Sequence, residues 1–409
     1  MGRGSNLERV GGFNQAVVLD AIRRAPHGIS RVELVQATGL STQTVSNIVR
    51  KQLDLGLLNE GHKTVTGPGK PRTPLTIEPR SRFAVGVHLD PSVMTFVVLD
   101  LAGDVVARCR HEMPAVADPD TTVARMAAAI DGLVRTAKVP RDRVLGVGIA
   151  SPGPINEDRG IVVDAPLLIG WQAVRLRESL RGATGLPVLL DKDVMAAAHA
   201  ELWSSSRGEN ENFAFIYLGT GIGAGLVING QVMRGASNNV GEIGHFSTGE
   251  DGPLCACGRS SCIGVAAMPA HLVETAVAAG VLEGPASGAD PELISAAWVK
   301  LGALALQGDA GALGIVDASA RRLARVVEDI ANLMDVERVI FGGPMWAPVS
   351  ERYLAVLQPT LSQRSAVSAI HDLEVIGSAL GEDIAAVGAG CAILDHILAP
   401  KQMGLLLQD

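Results

Sequence analysis

Ser30-Arg-Val-Glu-Leu-Val-Gln-Ala-Thr-Gly-Leu-Ser-Thr-Gln-Thr-Val-Ser-Asn-Ile-Val-Arg-Lys-Gln-Leu-Asp-Leu55 is two helices either side of a tight turn, written in local signals. Ser30 and Glu33 form a capping box, in which the hydroxyl caps the helix and the carboxylate reaches back to the cap amide. That spacing predicts a helix over 31–38, stopped at Gly39. Ser41 caps a second helix over 42–55, in which Val45, Ile48, Val49 and Leu53 repeat at core spacing. Its other face carries Ser41, Thr42, Gln43, Thr44, Ser46 and Asn47, then Arg50 and Lys51.

Those dimensions are those of a helix-turn-helix. Short polar side chains can approach base edges, Gln and Asn pair with adenine, and Arg and Lys (with Arg31 nearby) neutralise phosphates. Upstream, residues 14–25 repeat apolar residues at helical spacing until Pro26-His27-Gly28. Downstream, Leu57-Leu58 and Leu75-Thr-Ile77 flank Gly67-Pro-Gly-Lys70-Pro-Arg72, the pattern of a hairpin wing. Its basic tip, Lys70 and Arg72, could reach the DNA backbone or minor groove. The same caps and turn would also serve a helical interaction module with no DNA role.

Charge divides the chain the same way. Residues 1–82 hold twelve Lys or Arg and six Asp or Glu, a net of +6, against −8 for all 409 residues and so −14 for the rest. A basic end on an acidic body suits a protein that touches nucleic acid at one end. No uncharged apolar run of membrane-spanning length and no signal-peptide pattern is present, so a cytoplasmic protein with no membrane association is expected.

From Phe83 onward, buried strands alternate with helices, and each glycine or acid cluster follows a strand. Phe83–Leu89 and Thr95–Leu101 form a hairpin pattern. Val144–Ile149 leads to Ser151-Pro-Gly-Pro154, and Val188–Leu190 to Asp191-Lys-Asp193 and an Ala-rich helix. Phe213–Leu218 leads to a glycine loop, and Glu337–Phe341 to Gly342-Gly343. In α/β sheets, ligands bind at such strand ends.

Between Gly241 and Cys262 lies His245, followed by Cys255, Cys257 and Cys262. One imidazole and three thiolates form a closed tetrahedral set suited to structural Zn2+, with no position left for catalysis. The alternative is three reduced core cysteines and an unrelated histidine. Cys109 and Cys391 stand alone and are expected to be buried apolar residues.

These motifs together resemble the ROK family of bacterial repressors and sugar kinases, over nearly the whole chain. The resemblance implies an α/β chain: an N-terminal winged helix-turn-helix (1–80), then a two-lobed actin-like (ribonuclease H-like) ATPase-type domain. Its first lobe would span 81–195, with a C-terminal helix over 385–409 packing back on it. Its second lobe, with the zinc loop, would span 196–384. The resemblance also implies a homodimer or homotetramer, a double-stranded DNA operator and a sugar or sugar-derivative effector. Asp193 stands at the family's catalytic base, and Glu242 and His245 at sugar-contact positions. Leu218-Gly219-Thr220-Gly221-Ile-Gly223 matches the second phosphate loop, and Gly342-Gly343 the loop near adenosine. These glycines could equally be tight turns, and Asp193 a helix N-cap.

The departures decide the function. Lys192 replaces a sugar-binding Asn of the kinases, Met195 a second Asn, Leu167 another and Gly264 a Glu. The first phosphate loop, Asp-x-Gly-Gly-Thr in the kinases, is His88-Leu-Asp90-Pro91-Ser92. His88 replaces the magnesium-side Asp, Pro91 removes an amide donor, and Asp90 repels phosphate. The metal-phosphate clamp supplies most of the transition-state stabilisation of phosphoryl transfer, so its loss should cost several decades in rate. The expected function is a sugar-controlled DNA-binding regulator, with kinase chemistry lost and Lys192, Asp193, Glu242 and His245 forming the effector site. An active ATP-dependent sugar kinase that also binds DNA is the alternative. A regulator with an unused pocket that answers to a partner protein is the third reading.

Overall fold

Helix α1 (Leu7–Arg23) runs into α2 (Arg31–Thr38) and α3 (Thr42–Asp54), and strands β1 (Leu58–Glu60) and β2 (Leu75–Ile77) pair antiparallel beside them in a computed structural model. The structure describes residues 7–62, 72–113, 118–165, 168, 170–205, 211–249, 252–283, 291–364, 366 and 370–398. The capping box forms as its spacing predicts: Ser30 Oγ accepts from Glu33 N, and Glu33 Oε2 accepts from Ser30 N at 2.7 Å. Gly39 ends α2 at φ 67°, and Ser41 Oγ caps α3 through Thr44 N at 3.1 Å. Val18, Leu19 and Ile22 of α1 meet Leu34, Val45, Ile48, Val49 and Leu75 in the core. Helix α1 begins earlier than the periodicity predicts, because it runs through Gly11-Gly12 instead of starting after it.

The body starts with a five-stranded sheet in the order β10-β6-β3-β4-β5. In chain order these are β3 (Phe83–Leu89), β4 (Val93–Asp100), β5 (Val105–Glu112), β6 (Val144–Ser151) and β10 (Val188–Lys192). Between β5 and β6 lies α4 (Pro119–Thr136). After β6 come a small sheet, β7 (Ile155–Asn156), β8 (Ile161–Asp164) and β9 (Gln172–Val174), and then α5 (Leu176–Thr184). Helix α6 (Asp193–Ser204) follows β10 directly.

A second five-stranded sheet runs β13-β12-β11-β14-β15. Its members are β11 (Phe213–Leu218), β12 (Ile222–Ile228), β13 (Gln231–Val232), β14 (Arg338–Gly342) and β15 (Glu374–Gly377). Helices α7 (Ile263–Ala266), α8 (Pro269–Ala278), α9 (Pro291–Leu306), α10 (Ala310–Met334) and α11 (Ser350–Arg364) belong to this half. Helix α12 (Ile384–Leu398) returns to β3, β4 and β6 of the first sheet and lies along α6, which packs on β11 and β12 of the second. So α6 and α12 stand between the two sheets.

Cys391 is fully buried, but Cys109 is only half-buried, correcting the expectation that both are core residues. Cys109 lies on edge strand β5, whose outer row faces solvent. Among the described residues no single helix is long and apolar enough to cross a membrane.

Candidate functional site

Helix α3 is amphipathic. Val45, Ile48 and Val49 are buried, while Ser41, Thr42, Gln43, Asn47, Arg50 and Lys51 are exposed and Thr44 and Ser46 half-exposed. Gln43 Nε2 donates to Asn47 Oδ1 at 3.2 Å, so the two amides present one face. Ser41 spends its hydroxyl on the cap. Arg31 is paired with Glu60 at 2.6 Å. Arg72 reaches Glu33 Oε2 at 3.0 Å and the Gly28 carbonyl at 2.7 Å, which ties the wing to the start of α2. Lys70 lies outside the described residues, as does Leu167.

In the body, the junction of β10 and α6 brings Asp191, Lys192 and Asp193 together. Lys192 is 3% exposed, and its Nζ is 2.5 Å from Glu242 Oε1, 3.1 Å from the Val240 carbonyl and 3.5 Å from the Asn239 carbonyl. An ammonium has three protons, so these three acceptors use all of them. Glu242 itself is 65% exposed. Asp193 accepts from Val194 N at 2.7 Å. Burial pushes its carboxyl up to about 7, against the pull of Lys192 and the Val194 amide and with the repulsion of Glu242 and Asp90. Met195 is buried, and Gly264 donates its amide to the Gly244 carbonyl at 2.8 Å, so both replaced positions have become packing positions.

At the phosphate end, Thr220 Oγ1 donates to Asp90 Oδ2 at 3.2 Å, and Asp90 Oδ1 accepts from the Ser92 amide and hydroxyl at 2.9 and 2.6 Å. The first and second phosphate loops therefore touch each other. Gly219 N donates to Gly221 O at 2.9 Å within the second. His88 is buried, its Nε2 3.4 Å from the Tyr217 hydroxyl, and burial pushes its pKa down, leaving a neutral ring where a kinase has a carboxylate.

Sequence reasoning missed three groups. Tyr217 is hidden in the apolar run of β11, yet lies among His88, Asp90 and Asp193. Arg234 bonds Asp191 through two oxygens at 3.2 and 3.1 Å and Glu157 at 3.1 Å, an ionic cluster behind the pocket. Asn239 joins the loops, accepting from Ile155 N at 2.8 Å and donating to its carbonyl at 2.8 Å. A charged or amide residue between loop signals was the only available hint.

The metal candidate is compact. Ligand atoms of His245, Cys255, Cys257 and Cys262 lie within 4.8 Å of one another. Cys255 Sγ is 3.6 Å from His245 Nδ1, and Cys257 Sγ is 3.6 Å from Cys262 Sγ. Tetrahedral zinc with ordinary bond lengths sets sulfurs about 3.8 Å apart and sulfur from nitrogen about 3.6 Å. The residues fit such an ion, and the sulfur spacing is far too long for a disulfide. Gly258 turns the loop at φ 85°. The Arg259 backbone amide, with the neighbouring thiols, pulls the Cys257 thiol down to about 6.

The ROK family pattern matches residues 84–395. The chain belongs to the ROK family. ROK relatives fall on both sides of the regulator–kinase divide. A putative xylose repressor of Caldicellulosiruptor is 24% identical over 374 residues, covering 91% of this chain and 93% of that protein. An N-acetylmannosamine kinase of Escherichia coli is 31% identical over 305 residues, 70% of this chain and 98% of the kinase. The fold matches the crystal structure of a ROK family transcriptional regulator, a homologue of the E. coli MLC protein, with a TM-score of 0.77 and 23% identity over 95% of this chain and 98% of that one. The expected α/β fold, helix-turn-helix followed by the two-lobed ROK body, is the observed one.

Proposed function

We propose that this ROK protein is a transcriptional repressor that reads duplex DNA with α3, senses a sugar or sugar derivative in its cleft, and does not transfer phosphate. The observation that carries this is the pairing of an exposed polar reader face with a phosphate end filled by the protein's own groups. Thr42, Gln43, Thr44, Ser46 and Asn47 would meet base edges, and Arg50, Lys51, Arg31, Lys70 and Arg72 the backbone. Asp193, Glu242, His245 and Lys192 would face the effector, and 1–80, 81–195 and 196–384 would be the working units. Two copies would present two reader helices to a pseudo-palindromic site.

The Asp90 carboxylate accepts from the hydroxyl that would otherwise donate to a phosphate. His88 is neutral and offers no carboxylate to magnesium. His245, Cys255, Cys257 and Cys262 would hold Zn2+, whose contribution is to fix the loop that carries Glu242; the thiolates and imidazole supply a closed coordination shell.

One observation favours the second reading, an active sugar kinase with a DNA-binding domain: Asp193 has the elevated pKa of a general base near neutrality. Selection of duplexes from a random pool, together with an ADP-release assay on a hexose and N-acetylhexosamine panel, separates the two. Enriched DNA without ADP release supports the repressor; sustained release overturns it.

A further inference from the structure

Helix α6 has one end at the proposed effector residue Asp193 and the other against α1 of the helix-turn-helix unit. Its first residue is Asp193, and Trp203 is one residue from its C-terminus. Ten residues of helix separate them, about 15 Å. At the far end, Arg23 of α1 donates from Nη1 to the Trp203 carbonyl at 3.0 Å, and its guanidinium carbon lies 4.1 Å from the indole centroid. A cation on the last carbonyls of a helix is where the helix dipole favours it, and a guanidinium over an indole adds cation–π attraction. The reader thus supplies the C-terminal cap of a body helix.

The joint is buried, and among the described residues Arg23 Nε finds no hydrogen-bond partner in it. Asp20 holds Arg23 Nη2 at 2.9 Å, leaving the side chain 9% exposed. The Trp203 indole faces the turn at 101–104, where Gly103 has φ 94° and an added Cβ would lie 2.3 Å from Nε1. His199 stands edge-on to Trp203 and reaches Asp395 of α12 at 2.5 Å. Helices α6 and α12 touch backbone to backbone, since a Cβ on Gly388 would meet the Ala196 carbonyl at 1.7 Å. Two helices so tightly joined shift as one body.

We infer that Arg23 and Trp203 are positioning residues that set the reader on the body and relay the state of the cleft, through α6, to the DNA-binding helix. This rests on the repressor reading. Occupancy at Asp193 biases the α6–α12 pair, and Arg23 is the polar grip by which α1 follows it. The relay costs the reader its independence: the grip that transmits the signal also fixes where α3 points.

The test uses the full-length protein and a duplex enriched from a random pool by the wild type. No enrichment overturns the repressor reading and leaves the relay to a spectroscopic arm. In that arm the protein is labelled with 5-fluorotryptophan, and the Trp203 resonance is assigned with Trp203→Phe. Asp193→Asn should move that resonance; an unmoved signal overturns the relay. With an enriched duplex, Asp193→Asn should change affinity at least about fivefold, in the range of ordinary coupling between sites. Arg23→Ala should erase that difference, with zinc content unchanged. If the difference survives Arg23→Ala, or never appears, the relay is wrong. Arg23→Lys, which keeps the charge but not the planar fork, serves if the alanine variant does not fold, and should reduce the difference. Arg24→Ala, which breaks only a pair with Asp20, should leave it intact.

Discussion

Asp90 and Thr220, 130 positions apart, meet at 3.2 Å where the two phosphate loops of the ROK body face each other. The carboxylate accepts the hydroxyl's hydrogen bond and carries the charge that a phosphate would bring. A second anion there would be repelled and would find its donor spent. Mg-ATP should therefore give no thermal shift. ADP release with any hexose should lie at least about a thousandfold below the 1–100 s−1 usual for kinases. A turnover within that range would restore the kinase.

The Lys192–Glu242 pair makes a second prediction. Removing one partner of a buried pair leaves the other charge uncompensated, at about 3–5 kcal/mol. Here only the ammonium is buried, Glu242 is mostly in water, and two carbonyls remain on Nζ. Glu242→Gln should therefore cost only about 1 kcal/mol, read as a small fall in urea midpoint at constant slope. A loss near the full buried-pair cost would mean that Glu242 is held far more tightly than its exposure indicates.

Legibility in the sequence followed the range of the interactions. The helix-turn-helix could be read because Ser30, Glu33, Gly39 and Ser41 act within four residues of their partners. Strand β5 was missed because Val105–Glu112 alternates charged residues on an exposed edge and so lacks an apolar run. Lys192 and Glu242 could each be named as candidate effector residues, but not their contact, which depends on how the end of β10 and a loop 50 positions later face one another. Arg23 and Trp203 are 180 positions apart, and nothing local to Arg23 distinguishes it from Arg24. Tyr217 reads as core because it lies in the wholly buried run of β11.

The zinc loop can be tested by removal. Cys257→Ser takes away one of the four candidate ligands. Zinc released on denaturation should fall from one per chain towards zero, and the melting temperature by on the order of 5–10 °C. Chelator treatment of the wild type should reproduce the drop, and zinc should reverse it. An unchanged metal content in the serine variant would remove the assignment.

Asp193 sets a pH dependence. An unfolded aspartate titrates near pH 4, whereas burial pushes this one up to about 7. Between those values the folded chain keeps a proton that the unfolded chain has released. Stability therefore falls as pH rises through that window and levels off above it. Asp193→Asn cannot ionise, so its urea midpoint should decline less between about pH 5 and 8 and exceed that of the wild type at the upper end. An identical slope in the two proteins would place the titration on another group.

The reader helix yields the sharpest separation of roles. Arg50 and Lys51 are exposed in the C-terminal half of α3, whereas Gln43 and Asn47 lie together in its N-terminal half. Contacts to phosphate carry no sequence information, but each releases counterions, about 0.9 per phosphate in the salt slope. Arg50→Ala or Lys51→Ala should therefore weaken binding to enriched and scrambled duplexes alike and flatten the salt dependence by about one unit. Gln43→Ala or Asn47→Ala should leave that slope in place and cost about 1–3 kcal/mol on the enriched duplex alone. Titrations at several salt concentrations on both duplexes distinguish the two patterns. If Gln43→Ala weakens both duplexes equally, α3 lies along the backbone and another element reads the groove.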